Sequence, residues 1–358
     1  MRPRFAKQQG VALIAVLMVV ALVVVLAVSM SGRLQLQLQR QQNLQDRQQA
    51  LWLALGAEEF SRSLLKRTAA GKDTVNLAQE WAAQGATFPV EQGSISGKIT
   101  DLQSCFNLNA LQKAQEPAAS GSSRDPQPGQ QQAVTNNQTN TAATGRQQGV
   151  PPPTPAQQSF QRLLEQSAAE LSMPAEYLVA RLTDWLDVDS TLQSAGGAEE
   201  NDYAALEFPY YTANSLMVSK SELRVLLDMT AADYALLAPL VCVIPQQHLL
   251  QLNVNTINEQ QAVLLSGMIP GLSEDDARAL INSRPEKGYE NIEQFFGSTQ
   301  LSGLQISDDT KTLFSVKSGY FQAELTVQLA QSSFKLTSVL KVNDNQVQVV
   351  ARRFGGQG

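Results

Sequence analysis

From Val11 to Val28 the chain runs VALIAVLMVVALVVVLAV without a polar interruption, and no other segment limits its fold so tightly. Extended through Ser29, Met30 and Ser31, the run reaches about 21 residues, or ~30 Å of helix, which matches the hydrocarbon thickness of a bilayer. So many valines suit a soluble helix poorly. In lipid the backbone has no other way to satisfy its hydrogen bonds, and helix becomes the acceptable state. Arg2, Arg4 and Lys7 precede the run. By the positive-inside rule they hold the short N-terminal end in the cytoplasm and predict that everything after about residue 32 is periplasmic.

A cleaved secretory signal peptide and a plain single-pass anchor share this hydropathy. The signal peptide fits less well, because the apolar core flows directly into a further helical pattern. Leu34 and Leu38 lie four apart, Leu44, Leu51 and Leu55 follow at spacings of seven and four, and Trp52, Phe60 and Leu64 extend the series. No proline occurs between Pro3 and Pro89. The LQLQLQ alternation at 34–39 would suit a strand, but its uninterrupted flanks favour helix. One helix from about 12 to about 70 is predicted, ended at Ala69-Ala70-Gly71.

Composition excludes several classes. The formal net charge is −6, which argues against a general polyanion binder. Two cysteines, Cys105 and Cys242, and one histidine, His248, are too few for a Cys/His zinc site. His248 sits in PQQHLL with no nucleophile-elbow motif in the chain, and reads as an exposed or capping residue.

Beyond the long helix, residues 94–101 alternate as a strand, with Ile95 and Ile99 on one face. Residues 113–158 are rich in Gln, Pro, Thr, Asn, Ser and Gly and include PPPTP; such a segment buries too little surface to offset its ordering entropy and is predicted to be a disordered loop. Residues 159–310 carry helical spacings, with expected helices around Phe160–Leu164, Tyr177–Trp185, Leu223–Leu227 and Tyr234–Leu240, then 258–267, 273–284 and 290–296. The tail returns to alternation at Phe321, Ala323, Leu325, Val327 and Leu329, and again at Phe334, Leu336, Ser338 and Leu340, with a turn at Asn343-Asp344-Asn345. The fold class predicted is α+β: a long N-terminal helix, partly transmembrane, packed on an antiparallel sheet built from 94–101 and 315–354, with a large inserted all-α domain.

Lys7-Gln8-Gln9-Gly10 ahead of an apolar helix resembles a type IV prepilin leader. The stretches QALWLALGAEEF (49–60), DLQSCFNLNAL (101–111), LTDWLDVD (182–189), GGAEENDY (196–203), LNVNTI (252–257) and ARALINSRPEKGYENIEQF (277–295) are similar to sequences of the type II secretion minor pseudopilin K family. The resemblance touches most of the chain except 113–158. It implies a leader at 1–10, a transmembrane part at 11–32, a first pilin-like part at 33–112, the loop at 113–158, the inserted domain at 159–310 and C-terminal strands at 311–358. A prepilin peptidase would cut between Gly10 and Val11, and the new N-terminus would be methylated. It further implies an inner-membrane protein at the tip of a periplasmic pseudopilus, partnered by sister pseudopilins I and J, then H and G, with no enzymatic activity. Most such proteins carry Glu at the fifth mature position, where this chain has Ala15. An unpaired charge in lipid costs about 2.5–3.5 kcal/mol. A subunit with no neighbour above it gains nothing from that Glu, so Ala15 suits a tip position.

Three constellations invite chemistry. Asp184, Asp187 and Asp189, then Gly196-Gly197, then Glu199, Glu200 and Asp202, form two carboxylate clusters on a flexible turn that can wrap a hard cation or simply face solvent. No soft ligand is near, which favours calcium over zinc, and the family resemblance implies calcium here. The expected ligands are Asp187, Asp189, Glu199 and Asp202, with Glu200 next and backbone carbonyls completing the shell; Asp184, beside Trp185 on a helix, is a weaker candidate. Residues 253–284 resemble a helix-hairpin-helix module, which opens the alternative of a periplasmic, membrane-anchored DNA-binding or uptake protein. Glu274, Asp275 and Asp276 follow its turn at once and would repel phosphate, so no nucleic acid is expected. In an oxidising periplasm Cys105 and Cys242 favour one disulfide, fastening the insertion to the pilin-like part, with two buried free thiols as the alternative.

Overall fold

The computed structural model describes residues 9–83, 85–112, 152–167, 171–248, 250–329 and 332–355. Most of the expected leader (1–8) and most of the low-complexity segment (113–151) lie outside the described residues.

Helix α1 runs from Gln9 to Thr68, with Lys66 and Arg67 in its last turn, where cations favour the helix dipole. Gly71 follows at φ +65, a conformation that L side chains resist. Along 13–45 every side chain is exposed, and this stretch includes the apolar segment long enough to cross a membrane. Further on, Ala50, Ala54, Glu58, Ser61 and Leu65 are buried at spacings of three and four, so one stripe of the same helix lies on a sheet.

That sheet is formed by β1 (Ala86–Val90), β2 (Gly93–Asp101) and three strands from the far end of the chain. Between them come β3 (Phe106–Asn107), α2 (Pro155–Ser167), α3 (Ala175–Leu186), α4 (Glu200–Ala204), α5 (Ala231–Leu237), β4 (Val241–Cys242), β5 (Leu252–Asn253), α6 (Ala262–Met268), α7 (Glu274–Asn282), α8 (Ile292–Phe296), α9 (Asp308–Lys311) and β6 (Phe314–Ser315). The closing strands are β7 (Tyr320–Leu329), β8 (Ser332–Val342) and β9 (Val347–Phe354). The order is β1-β2-β7-β8-β9, antiparallel throughout. Phe321, Ala323, Leu325, Val327 and Leu329 all point inward from β7, as their alternation predicts. β1 escapes the sequence pattern because it is short and carries Pro89, which an edge strand tolerates.

Helix and sheet are fastened by Glu58, which is 3% exposed. Arg352 on β9 donates to both of its oxygens at 2.8 and 2.7 Å, and the Ser338 hydroxyl donates to one at 2.5 Å.

A second core extends from Phe106 to Val316 and holds the inserted domain together. This shifts the expected boundaries. Residues 106–111, assigned by sequence to the pilin-like part, are buried in the insert's core, where the Phe106 ring lies 4.8 Å from that of Phe160. Leu313, Phe314 and Val316 also belong there rather than to the C-terminal strands. Residues 155–158, expected to be loop, are the first turn of α2. Thr154 and Gln157 exchange hydrogen bonds as a capping box around Pro155 at the first helical position. The expected helix at Leu223–Leu227 is instead a 3-10 turn, Lys220–Val225, capped by Ser219. The insert also holds two parallel pairings unforeseen from sequence, β3 with β4 and β5 with β6.

Candidate functional site

The acidic loop begins where α3 ends. Asp184 is completely buried, and its carboxylate accepts the backbone N–H groups of Gln193 (3.0 Å) and Ala198 (3.0 Å). It therefore folds the following fourteen residues back over the helix end. Asp187 is buried and accepts the Gln193 side-chain amide at 3.0 Å. Glu199 is 4% exposed, and neither of its oxygens meets hydrogen-bond geometry with a donor.

Asp184, Asp187 and Glu199 bring oxygens within 4.8 Å of one another. Burial pushes Asp184 up to about 7, with further upward pressure from Asp187 and Asp189, against the N–H groups that it accepts. Burial also pushes Glu199 up to about 7, helped by Asp184, Asp187 and Asp189, and the adjacent Glu200 N–H lowers it only in part. Gly197 is required by this packing, because a Cβ there would stand 2.0 Å from Asp184 Oδ2. Gly196 lies against the Tyr177 ring, which a Cβ would meet at 2.3 Å, and its carbonyl accepts from Arg181 at 3.3 Å.

Of the residues expected as ligands, Asp187 and Glu199 converge. The other three are exposed. Asp189 accepts the Thr191 N–H at 2.8 Å, and Asp202 caps α4 by accepting the Glu199 N–H at 2.9 Å. Asp184, ranked lower from sequence, is central to the cluster. Its place in the last turn of α3 is the missed signal, because a carboxylate there faces the N–H groups of the returning chain. Three buried carboxylates form an all-oxygen set that suits a hard divalent cation.

The helix-hairpin-helix-like segment commits its cations to the fold. Arg278 pairs with Glu274 at 2.6 Å, and Arg284 donates to the carbonyls of Val254 and Ile257 at 3.0 and 2.8 Å. Ser273 caps α7, whose first turn holds Glu274, Asp275 and Asp276.

Asn253 and Asp101 join the insert to the pilin-like part, while Asn109 ties distant segments within the insert. Asn109 donates to the carbonyls of Met217 and Ile244 and accepts the Met217 N–H. Asn253 donates to Val75 O at 3.0 Å and to Ser318 at 2.7 Å. Asp101, at the end of β2 and 2% exposed, accepts from the hydroxyls of Ser318 (2.5 Å) and Thr256 (2.6 Å) and from the N–H of Gln103 (2.8 Å). Beside this network Cys105 and Cys242 are joined as a disulfide, Cα to Cα 5.8 Å.

A helix part-exposed for lipid and part-packed on a five-stranded antiparallel sheet, interrupted by a helical insert, defines a membrane-anchor-compatible, pilin-like subunit. Two family models, both described as Type II secretion system (T2SS), protein K, match residues 104–246 and 252–317. The chain is 36% identical to a type II secretion system protein K from Aeromonas hydrophila, covering 99% of both chains, and 35% identical to one from Pectobacterium carotovorum subsp. carotovorum, covering 98% of both. It also resembles a chain in the crystal structure of the GspK-GspI-GspJ complex from enterotoxigenic Escherichia coli. The TM-score is 0.70 at 29% identity, over 89% of this chain and 100% of that one. The chain belongs to the type II secretion system protein K family and is a minor pseudopilin of type II secretion.

Proposed function

We infer that this pseudopilin is anchored in the inner membrane by the first part of α1, with its N-terminus cytoplasmic, and stands at the tip of the periplasmic pseudopilus. There it helps initiate or cap assembly for export of folded proteins across the outer membrane. The observation that carries the reading is the insert: a core from Phe106 to Val316, separate from the helix–sheet core, adds bulk that hinders a further subunit from stacking above. Ala15 in place of an intramembrane Glu supports the same position. Sister pseudopilins I and J are the nearest partners, in keeping with the solved three-protein complex, followed by H and G. Prepilin peptidase cuts between Gly10 and Val11. No residue is assigned bond-making chemistry.

Calcium is the cation that best fits the acidic loop, with Asp184, Asp187 and Glu199 holding it and Asp189, Glu200 or Asp202 reaching in from the rim. When bound it supplies positive charge that offsets the mutual repulsion of the buried carboxylates and fixes the loop. Mass spectrometry of membrane-extracted protein is expected to give Val11 as the N-terminus, and co-purification is expected to recover I and J. An intact Met1, or no association with I and J, refutes the assignment. Asp187→Ala is expected to abolish the rise in melting temperature on adding Ca²⁺; an undiminished rise refutes the site.

A further inference from the structure

Above its membrane segment α1 presents two faces, and the fold of this chain covers one of them. Ala50, Ala54, Glu58, Ser61 and Leu65 lie on the sheet. Trp52, Gly56, Phe60 and Leu64, each four residues apart, make a second stripe. Trp52 is 72% exposed and Phe60 56%. The stripe is one wall of a groove of about 560 Å³, and Phe88 of β1, 49% exposed, stands with Ile95 of β2 on the other. The Phe60 and Phe88 rings meet edge-on at 5.9 Å, so helix and strands enclose one continuous surface. Large apolar side chains gathered in water in this way mark an interaction site.

The groove is electrically neutral along its lining. The charged residues that line it, Arg67 and Glu80, pair with each other at 2.5 Å. Glu59, beside Phe60, is likewise paired with Arg62 at 2.5 Å. An occupant therefore finds no net charge to match and has to be apolar. Gly56 is exposed, and a Cβ there would meet no atom within 4 Å. Glycine weakens a helix interior, and nothing among the described residues of this chain packs against Gly56 closely enough to require it. The notch that it leaves lies between Trp52 and Phe60, about one turn from each, and admits a side chain from outside.

The position of the groove selects its occupant. Residues 32–51 place about 30 Å of helix between it and the apolar run, so the lipid that anchors the chain does not reach it. The groove nevertheless opens on the same helix that enters the membrane. A second helix anchored in that membrane and packed beside α1, at roughly 8–10 Å between axes, runs up to this face without leaving the side of α1. We propose that the groove receives the membrane-anchored helix of one sister pseudopilin, I or J, with a large apolar side chain of that helix seated over Gly56. The inference rests on the pseudopilin reading and names the face of this chain through which that partnership is made.

The test uses the full chain, co-expressed with I and J and extracted from membranes. Gly56→Leu fills the notch without a clash in the free subunit. It is expected to cut recovery of I or J at least fivefold, while the melting temperature of the chain alone stays level or rises. Trp52→Ser, at an exposed position on the rim, repeats the test from outside the notch and is expected to cut recovery at least threefold. A photo-reactive benzoylphenylalanine in place of Trp52 is expected to cross-link the N-terminal helix of I or J, and Gly56→Leu is expected to weaken that adduct. Undiminished recovery with both variants overturns the proposal. So does an adduct on lipid, on a second copy of this chain or on a protein other than I or J. Where wild type recovers I and J and the variants do too, this groove alone is wrongly assigned; where wild type recovers neither, the pseudopilin reading falls with it.

Discussion

Asp101→Asn isolates the energetics of the domain junction. Burial pushes the Asp101 carboxyl from 3.8 up to about 6, although donors from Ser318, Thr256, Gln103 and Asn253 favour its charged form. That rise corresponds to about 3 kcal/mol. The unfolded chain titrates at its ordinary value, so the neutral acid costs nothing extra below about pH 4. Stability is lost as pH climbs through about 6, and the full cost is present above neutrality. Asparagine is nearly the same shape and uncharged. The hydroxyls of Ser318 and Thr256 can rotate to accept from its amide, so the network survives without the charge. Denaturant unfolding of wild type and variant at intervals from pH 4 to 8 measures the effect. Asp184 and Glu199 titrate in both proteins and cancel in the comparison. The stability of wild type relative to Asp101→Asn is expected to fall by about 3 kcal/mol across this range. Parallel pH profiles would refute the argument that an ionised carboxylate is held dry at the junction.

Other outcomes follow from the same structure. Replacing Cys105 and Cys242 together with Ala should lower stability by up to about 5 kcal/mol, since the bridge spans 137 residues of sequence; a loss under about 1 kcal/mol in chemical unfolding would leave the staple idle. Glu58→Ala should cost about 1–2 kcal/mol, since buried Ser338 loses its acceptor while half-exposed Arg352 turns to water. Burial raises the Glu58 carboxyl, but bonds from Arg352 and Ser338 outweigh it and hold the group below its ordinary value. Its stabilisation is therefore present above 4.5 and disappears as pH falls, the reverse of Asp101, and pH-dependent unfolding separates the two. Gly267→Ala should destabilise by about 1–3 kcal/mol, because its Cβ would meet the Leu163 backbone at 2.6 Å; a thermal melt unchanged from wild type contradicts the close approach of α6 to α2.

Features that depend on local repetition were legible in the sequence. The apolar run and the period-two strands β7 and β8 declare themselves because lipid and a one-sided sheet each demand a regular pattern of neighbouring residues. What was hidden depends on distant partners. Asn109 and Asn253 look like turn residues until Met217 and Val75, more than 100 positions away, supply the groups they bind. Asp184 ranked as a weaker ligand than its neighbours because its donors belong to chain that has yet to fold back. Thr154-Pro155-Ala156-Gln157 is a readable helix start, and compositional bias on its N-terminal side concealed it. Phe106 to Leu111 were assigned to the wrong core because an apolar stretch says that it is buried, not against what.

The register that pairs Gly93 with Leu329 and Asp101 with Phe321 sets an order of events during synthesis. When α1 and β2 have been synthesised, the strands that must cover them are still more than two hundred residues from being made. Non-local pairing of this kind closes slowly. The insert is complete in the chain before β7 and can condense first, bringing Cys105 and Cys242 together while the sheet is still unfinished. Until β9 delivers Arg352, the buried face of α1 carries an unpaired Glu58 next to exposed alanines and leucines. The newborn subunit is thus most vulnerable to proteases, and most open to a chaperone, in the interval between a finished insert and an unfinished sheet.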